Sequence, residues 1–335
     1  MESIIYHDEK VIDVYLSIPF SSYLTLFGAS MLPNFKIGVG TIAWGNQLIW
    51  DYGIAYDEQS LYEVFSRSLQ NGIRFFSTSE AFTDGDSERI LGRFAAKYPD
   101  QAFISTKYVP RPWRIRRSDF LRAMNASLAR LQLRRLDLYQ IGQPTGLMGI
   151  PMLVECAAEA LDTGMVKNIG LSGFKANEIE QFSDLLNRLG GAVSCVETEY
   201  NLLNREIETN GVLKICQDLH IPIIAQCPLA MGLLTGKYLN EPIVNGLRRK
   251  IMQRYPANGL NGLIRLMNLI GSEHEGRNSA QVALNWLIQK KVIPIPGIKN
   301  VEQLDQNRTV TEWDLKPEEV TRLDDYSAGL AVGTE

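Results

Sequence analysis

Eight short runs rich in β-branched and aromatic residues punctuate the chain, and a helical pattern follows nearly every one. The runs are 39–43, 74–79, 102–108, 136–143, 166–174, 193–201, 222–230 and 292–298. The amphipathic stretches are 57–70, 87–98, 117–131, 151–162, 176–189, 208–219, 279–289 and 301–306. In the first of these, Leu61, Val64, Phe65 and Leu69 recur at helical spacing. A strand followed by a helix, repeated, requires parallel pairing through right-handed crossovers. Eight such units predict an α/β fold whose sheet closes on itself, a (β/α)8 TIM barrel of about 250 residues. No GxGxxG follows a strand, which weakens an open dinucleotide-binding sheet.

Ahead of the first strand, 23–27 and 34–38 predict a hairpin that plugs the barrel bottom. Residues 1–22 are an N-terminal tail, and 23–335 are expected to form one barrel domain. The longest connection is a loop at 239–277, between strands seven and eight. Connections of that length are usually functional or carry structure of their own. It holds Arg248, Arg249, Lys250 and Arg254, then an apolar helical pattern from Leu260 to Ile270. The basic residues suit a phosphate-bearing ligand and equally well a solvated charged face.

Composition narrows the partners. With 34 Lys and Arg against 38 Asp and Glu, the net charge of −4 argues against nucleic acid. No apolar run reaches the roughly 18 residues of a spanning helix, so no membrane is expected. Cys156, Cys195, Cys216 and Cys227 are far apart and read as reduced thiols in a cytoplasmic setting, with no metal site. A secretory leader pattern is absent, and Glu2, Asp8 and Glu9 weigh against a transit peptide, although a plastid stays open.

Several motifs then point one way. Gly72-Ile-Arg-Phe-Phe76, Ser87-Glu-Arg-Ile-Leu-Gly92, Ser105-Thr-Lys107, Asp137-Leu-Tyr-Gln140, Cys227-Pro-Leu-Ala-Met-Gly-Leu-Leu-Thr-Gly-Lys-Tyr238 and Ile295-Pro-Gly-Ile-Lys-Asn-Val-Glu-Gln-Leu-Asp-Gln-Asn307 resemble the aldo-keto reductase superfamily in order and spacing. Ala43-Trp-Gly-Asn-Gln47 and Pro112-Trp-Arg114 are similar to its plastid and cyanobacterial branch. The resemblance implies carbonyl reduction with NADP(H). In that chemistry a tyrosine protonates the oxygen, a lysine and an aspartate tune it, and a histidine orients the carbonyl.

Carried over residue by residue, three of the four positions are replaced. Where the family has Phe-Asp-Thr-Ala-Glu-x-Tyr-Gly, this chain reads Phe76-Ser-Thr-Ser-Glu-Ala-Phe-Thr83. Ser77 stands at the aspartate, Phe82 at the tyrosine and Gly142 at the histidine, while Lys107 is kept. A serine cannot carry the negative charge that pairs with Lys107, so the lysine is expected to lack its partner. The resemblance puts the nicotinamide near Thr41 and Trp44 and its carboxamide near Ser172. Glu197 stands where a glutamine is usual, and Gln226 where an aromatic ring is usual. Pro228, Leu229, Gly232 and Lys237 match the pyrophosphate side. Lys299, Gln303 and Asn307 match the adenosine side, where Gln306 replaces a glutamate. Arg248 or Lys299 would meet a 2′-phosphate.

Other residues carry competing readings. Glu80 and Glu197 fall near strand ends, where a carboxylate pair would suit glycosidase-like chemistry, but Glu80 also fits the family's common Ala-Glu step. Cys227 is either a reactive or a buried structural thiol. Trp44 and Trp113 line the mouth or fill the core. None of His7, His220 and His274 falls at a strand end. The expected protein is of NADP(H)-dependent oxidoreductase lineage and does not use the Tyr/His route, being a pseudoenzyme or running altered chemistry through Lys107. Its partner is a small carbonyl compound if it is active. One alternative is a reductase with a substitute donor such as Tyr255. Another is a regulatory or scaffold subunit without cofactor, bound to a protein partner.

Overall fold

The computed structural model describes residues 32–144, 148–239, 246–255 and 258–330. Eight parallel strands among them run in sequence order: β1 Val39–Gly40, β2 Phe75–Ser77, β3 Phe103–Tyr108, β4 Leu138–Gly142, β5 Ile169–Ser172, β6 Val193–Glu199, β7 Ile223–Gln226 and β8 Ile293–Pro294. Each pairs with the next. The ring closes between β8 and β1. Gly38 donates to the Pro294 carbonyl at 3.0 Å, Gly40 donates to Pro296 at 2.9 Å, and Gly40 bridges Gly297. The eight expected strands are all present but shorter. In the last, Pro294 and Pro296 have no N–H to give the ladder. In the first, Trp44 N–H turns back to the Thr41 carbonyl at 2.9 Å.

The helices are α1 Gln47–Trp50, α2 Glu58–Gln70, α3 Asp86–Ala95, α4 Arg117–Leu131, α5 Ile150–Asp162, α6 Ala176–Arg188, α7 Val212–Asp218, α8 Gly246–Met252, α9 Leu260–Glu273, α10 Ser279–Gln289, α11 Val301–Arg308 and α12 Pro317–Ala328. Asp57 starts α2 by accepting from Ser60 N–H at 2.9 Å, and the helix then lays Leu61, Val64 and Phe65 on the barrel. The helix expected over 208–219 is cut to α7, because the left-handed Gly211 (φ 88°) separates it from a 3-10 turn at Glu206–Glu208. The connection between β7 and β8 carries α8 and α9. The final α12, which the hydrophobic spacing does not announce, begins where Glu319 accepts the Lys316 N–H at 2.7 Å.

Side chains alternate in and out along each strand, and the inward ones change character with height. Near the strand starts, Phe75, Leu138, Cys195, Ile224 and Ile295 form a separate apolar cluster. Near the strand ends the buried set turns polar: Ser77, Ser105, Lys107, Gln140 and Glu197. The upper layer is therefore where binding energy and chemistry are available. The lower end is closed by Phe35, stacked on Phe75 at 5.1 Å and edge-on to Phe103 at 5.1 Å. Of the expected hairpin, 23–27 lies outside the described residues, and 34–38 is not a strand although it supplies this closing ring.

Where α3 meets α4, glycine is obligatory. A Cβ at Gly92 would sit 2.6 Å from the Arg130 carbonyl oxygen and 2.7 Å from Leu131 Cα, both rigid helix backbone. Gly92→Ala is expected to destabilise the fold by about 1–3 kcal/mol, as overpacking does, lowering the urea midpoint with the slope unchanged.

Candidate active site

A cleft of about 580 Å³ opens at the C-terminal end of the barrel. One end is walled by Ser77, Phe82, Lys107 and Glu197, the middle by Gln226, Cys227, Pro228, Leu229, Met231 and Gly232, and the other end by Lys299, Gln303, Gln306 and Asn307. Period two brings Ser77, Lys107, Gln140 and Glu197 inward from four strands at one level. The register sets Lys107 beside Gln140 on neighbouring β3 and β4.

Lys107 is not without a counter-charge, contrary to the expectation from Ser77. Its ammonium lies 3.1 Å from Glu197 Oε1, with side-chain exposures of 9% and 1%. It also donates to Ser77 Oγ at 3.0 Å and to the Thr78 carbonyl at 3.1 Å, so three acceptors meet its three protons. Glu197 is fixed in turn. Its Oε2 accepts from Gln140 Nε2 at 2.7 Å and from Ser77 Oγ at 3.2 Å. The carboxylate expected on β2 is thus supplied from β6 across the barrel, and Ser77 bridges acid and base.

Position 82, where the resemblance puts the tyrosine, has no such compensation. Phe82 lines the cleft, its ring centroid 5.5 Å from Lys107 Nζ, and offers no hydroxyl. The following residues Thr83 and Asp84 lie in the left-handed region (φ 52° and 50°), and a β-branched residue there is strained. Gly142 has no room for a side chain. A Cβ would fall 2.9 Å from Pro110 Cδ and 2.9 Å from the Tyr108 carbonyl oxygen. Tyr255 does not reach the cleft. Its hydroxyl donates to Glu199 Oε1 and accepts from Arg254 Nη2 at 2.9 Å, and burial holds it protonated far above the usual phenol range. His274 shares its ring nitrogen with the Glu319 carboxylate at 2.9 Å, His220 is exposed after α7, and His7 lies outside the described residues.

The carboxylate pair is also absent. Glu80 is taken by Arg114, which binds both its oxygens, and by Val109 N–H at 2.8 Å. That contact pushes the Arg114 guanidinium above its ordinary range. Cys227 lines the cleft, and burial raises its thiol to about 11, so it is protonated at neutral pH. Trp113 is 68% exposed and belongs to neither mouth nor core.

The other expected binding residues divide. Thr41, Gln226, Pro228, Leu229, Gly232, Lys237, Lys299, Gln303 and Asn307 all line the cleft. Trp44 does not. It is fully buried among Phe76 and Phe94, and its indole N–H donates to the Ile298 carbonyl at 3.0 Å. Ser172 ends β5 beside Glu197 and is not among the lining residues. Arg248 falls in α8, but its side chain lies outside the described residues. Trp50 and Tyr56 were missed. Their rings lie 5.7 and 5.1 Å from Lys299 Nζ, and Trp50 lines the cleft. No local pattern marks a tryptophan in the β1–α2 connection for that role, since its partner is some 250 residues away.

Residues 36–328 match the Aldo/keto reductase family, and the chain belongs to it. Among similar proteins, a chloroplastic pyridoxal reductase of Arabidopsis thaliana is 32% identical over 87% of this chain and 82% of its own. An L-glyceraldehyde 3-phosphate reductase of Escherichia coli O157:H7 is 26% identical over 89% of each. In fold, the chain is similar to an aldo/keto reductase of Klebsiella pneumoniae solved with NADP and acetate (TM-score 0.69, 23% identity, 90% of this chain and 93% of that one). It is also similar to a thermostable aldo-keto reductase solved with the inhibitor epalrestat (TM-score 0.71, 24% identity, 88% and 95%).

Removing one half of a buried ion pair strands the other charge, at a cost of about 3–5 kcal/mol. Glu197→Gln is expected to lose that much in chemical denaturation. Adding Ser77→Asp to it restores most of the loss by returning the carboxylate to β2. If the double variant is as unstable as the single one, the exchange of charge between strands is wrong.

Proposed function

We propose that this aldo-keto reductase family protein binds NADP(H) in the cleft and does not reduce carbonyls through a tyrosine–histidine pair. The group that faces a substrate carbonyl is then the Lys107 ammonium, held by Glu197. The observation that carries this is the composition of one end of the cleft, where a fully partnered lysine survives beneath a phenylalanine and no histidine fits at Gly142.

The residues present fit the nucleotide unevenly. At the far end Lys237 and Lys299 supply positive charge, and α11 opens with Asn300 accepting the Gln303 N–H at 2.9 Å. A helix start beside two lysines favours phosphate. Gln226, expected in place of an aromatic ring on the nicotinamide, lines the cleft. Bound nicotinamide would supply hydride. Lys107 polarises an oxygen placed near it, Glu197 and Ser77 hold its Nζ in place, and Phe82 shields it from water without giving up a proton. Losing a general acid costs roughly 10²–10⁴ in rate. The same reading takes residues 23–335 as one functional barrel. It places the protein in the cytoplasm or a plastid, where four unpaired cysteines remain reduced.

Titration by NADPH fluorescence, followed by turnover with pyridoxal and glyceraldehyde 3-phosphate, tests this. Saturable binding with negligible oxidation is expected, and Phe82→Tyr raises carbonyl reduction by about 10²-fold or more. Rapid turnover by the wild-type chain, unchanged in Phe82→Tyr, overturns the mechanism. Failure to bind NADPH leaves the barrel as a scaffold.

A further inference from the structure

The cleft places a primary amine, a carboxylate and a bridging hydroxyl together with open space beside them. Lys107, Glu197 and Ser77 all line the cavity, and they lie within 3.0–3.2 Å of one another. Where a tyrosine hydroxyl would compete for a carbonyl oxygen, there is only the Phe82 ring. We propose that Lys107 is a Schiff-base-forming residue that captures small aldehydes as an imine on Nζ. This needs the cleft but not the nucleotide, so it stands or falls apart from NADP(H) binding.

The step balances within the residues present. Glu197 Oε1, 3.1 Å away, takes a proton from the ammonium. The free amine adds to the aldehyde carbon, forming the C–N bond, and its proton passes to the oxygen to give a carbinolamine. The nitrogen lone pair then expels the hydroxyl as water, using the proton held by Glu197, and leaves a protonated imine. Nothing is oxidised or reduced. Glu197 is suited to this shuttle because its other oxygen is anchored by Gln140 at 2.7 Å and by Ser77 at 3.2 Å, so the carboxylate stays in place whichever group holds the proton. Barrels carry their reacting side chains at strand C-terminal ends, and lysine amines are established nucleophiles toward carbonyls. The iminium is a cation beside Glu197, so the buried carboxylate stabilises the adduct as it did the ammonium.

The experiment incubates the full chain with glycolaldehyde at neutral pH without NADPH, quenches with sodium borohydride, and maps the reduced adduct by peptide mass. Adduct at Lys107 is expected to form at least about tenfold faster than at Lys214, a surface lysine paired with Asp218. Lys107→Arg removes that adduct with its circular dichroism unchanged. Glu197→Gln slows it about 100-fold, the scale of general acid–base catalysis. Labelling of Lys107 no faster than of Lys214 overturns the proposal, and so does a folded Glu197→Gln that labels at the wild-type rate. Should Glu197→Gln fail to fold, the wild-type comparison of the two lysines decides alone.

Discussion

The ion pair between Lys107 and Glu197 holds the upper layer of the barrel together. Both groups are almost wholly removed from water, a state that either charge alone would find very costly. Each is therefore conditional on the other, and Ser77 and Gln140 complete the coordination from two more strands. Four of the eight strands thus meet in a single electrostatic knot directly under the cleft. Its strength explains how a lysine is held at this level beside the Phe82 ring. The lysine is built into the wall as much as into the site.

The two ends of the cleft obey different constraints. The far end is made of a helix start, exposed or half-buried lysines and aromatic rings, features that bind phosphate and tolerate small changes because much of the recognition is by charge and backbone. The near end presents Ser77, Lys107 and Glu197 beside the Phe82 ring, and chemistry there depends on holding a group within about 3 Å of a reacting atom. Such placement tolerates little change. The chain shows this contrast. Lys237, Lys299, Gln303 and Asn307 are all in the cleft wall, while positions 82 and 142, toward the opposite end, carry neither a hydroxyl nor an imidazole.

Much of the barrel was legible from residue order. Period-two runs followed by amphipathic helices are local patterns, and 117–131 and 279–289 emerge with the expected limits because propensity, capping and burial agree there. Boundaries slipped where a local conformation intervened, as at Gly211 and the two prolines of the last strand. The site was half legible. Motif order put Lys107, Ser77 and Phe82 together correctly, but the source of the counter-charge was invisible. Glu197 is 120 residues from Ser77 along the chain, and only barrel closure makes them neighbours. The same distance problem hid Trp50 from Lys299. It also misled in the other direction. Trp44, placed near the nicotinamide by motif, spends its indole N–H on Ile298 and its ring on the core. Tyr255, read as a substitute donor, is a strut on Glu199.

The crowding at Gly142 has a consequence for how this barrel can change. Any residue larger than glycine there must first push aside the peptide at Tyr108 and the Pro110 ring, so a histidine cannot be introduced by one substitution alone. At position 82 a hydroxyl would be added to a ring already in place. The two positions therefore differ in how freely they can be edited: one takes a change within its own ring, while the other stays locked until the β3–α4 connection is reshaped.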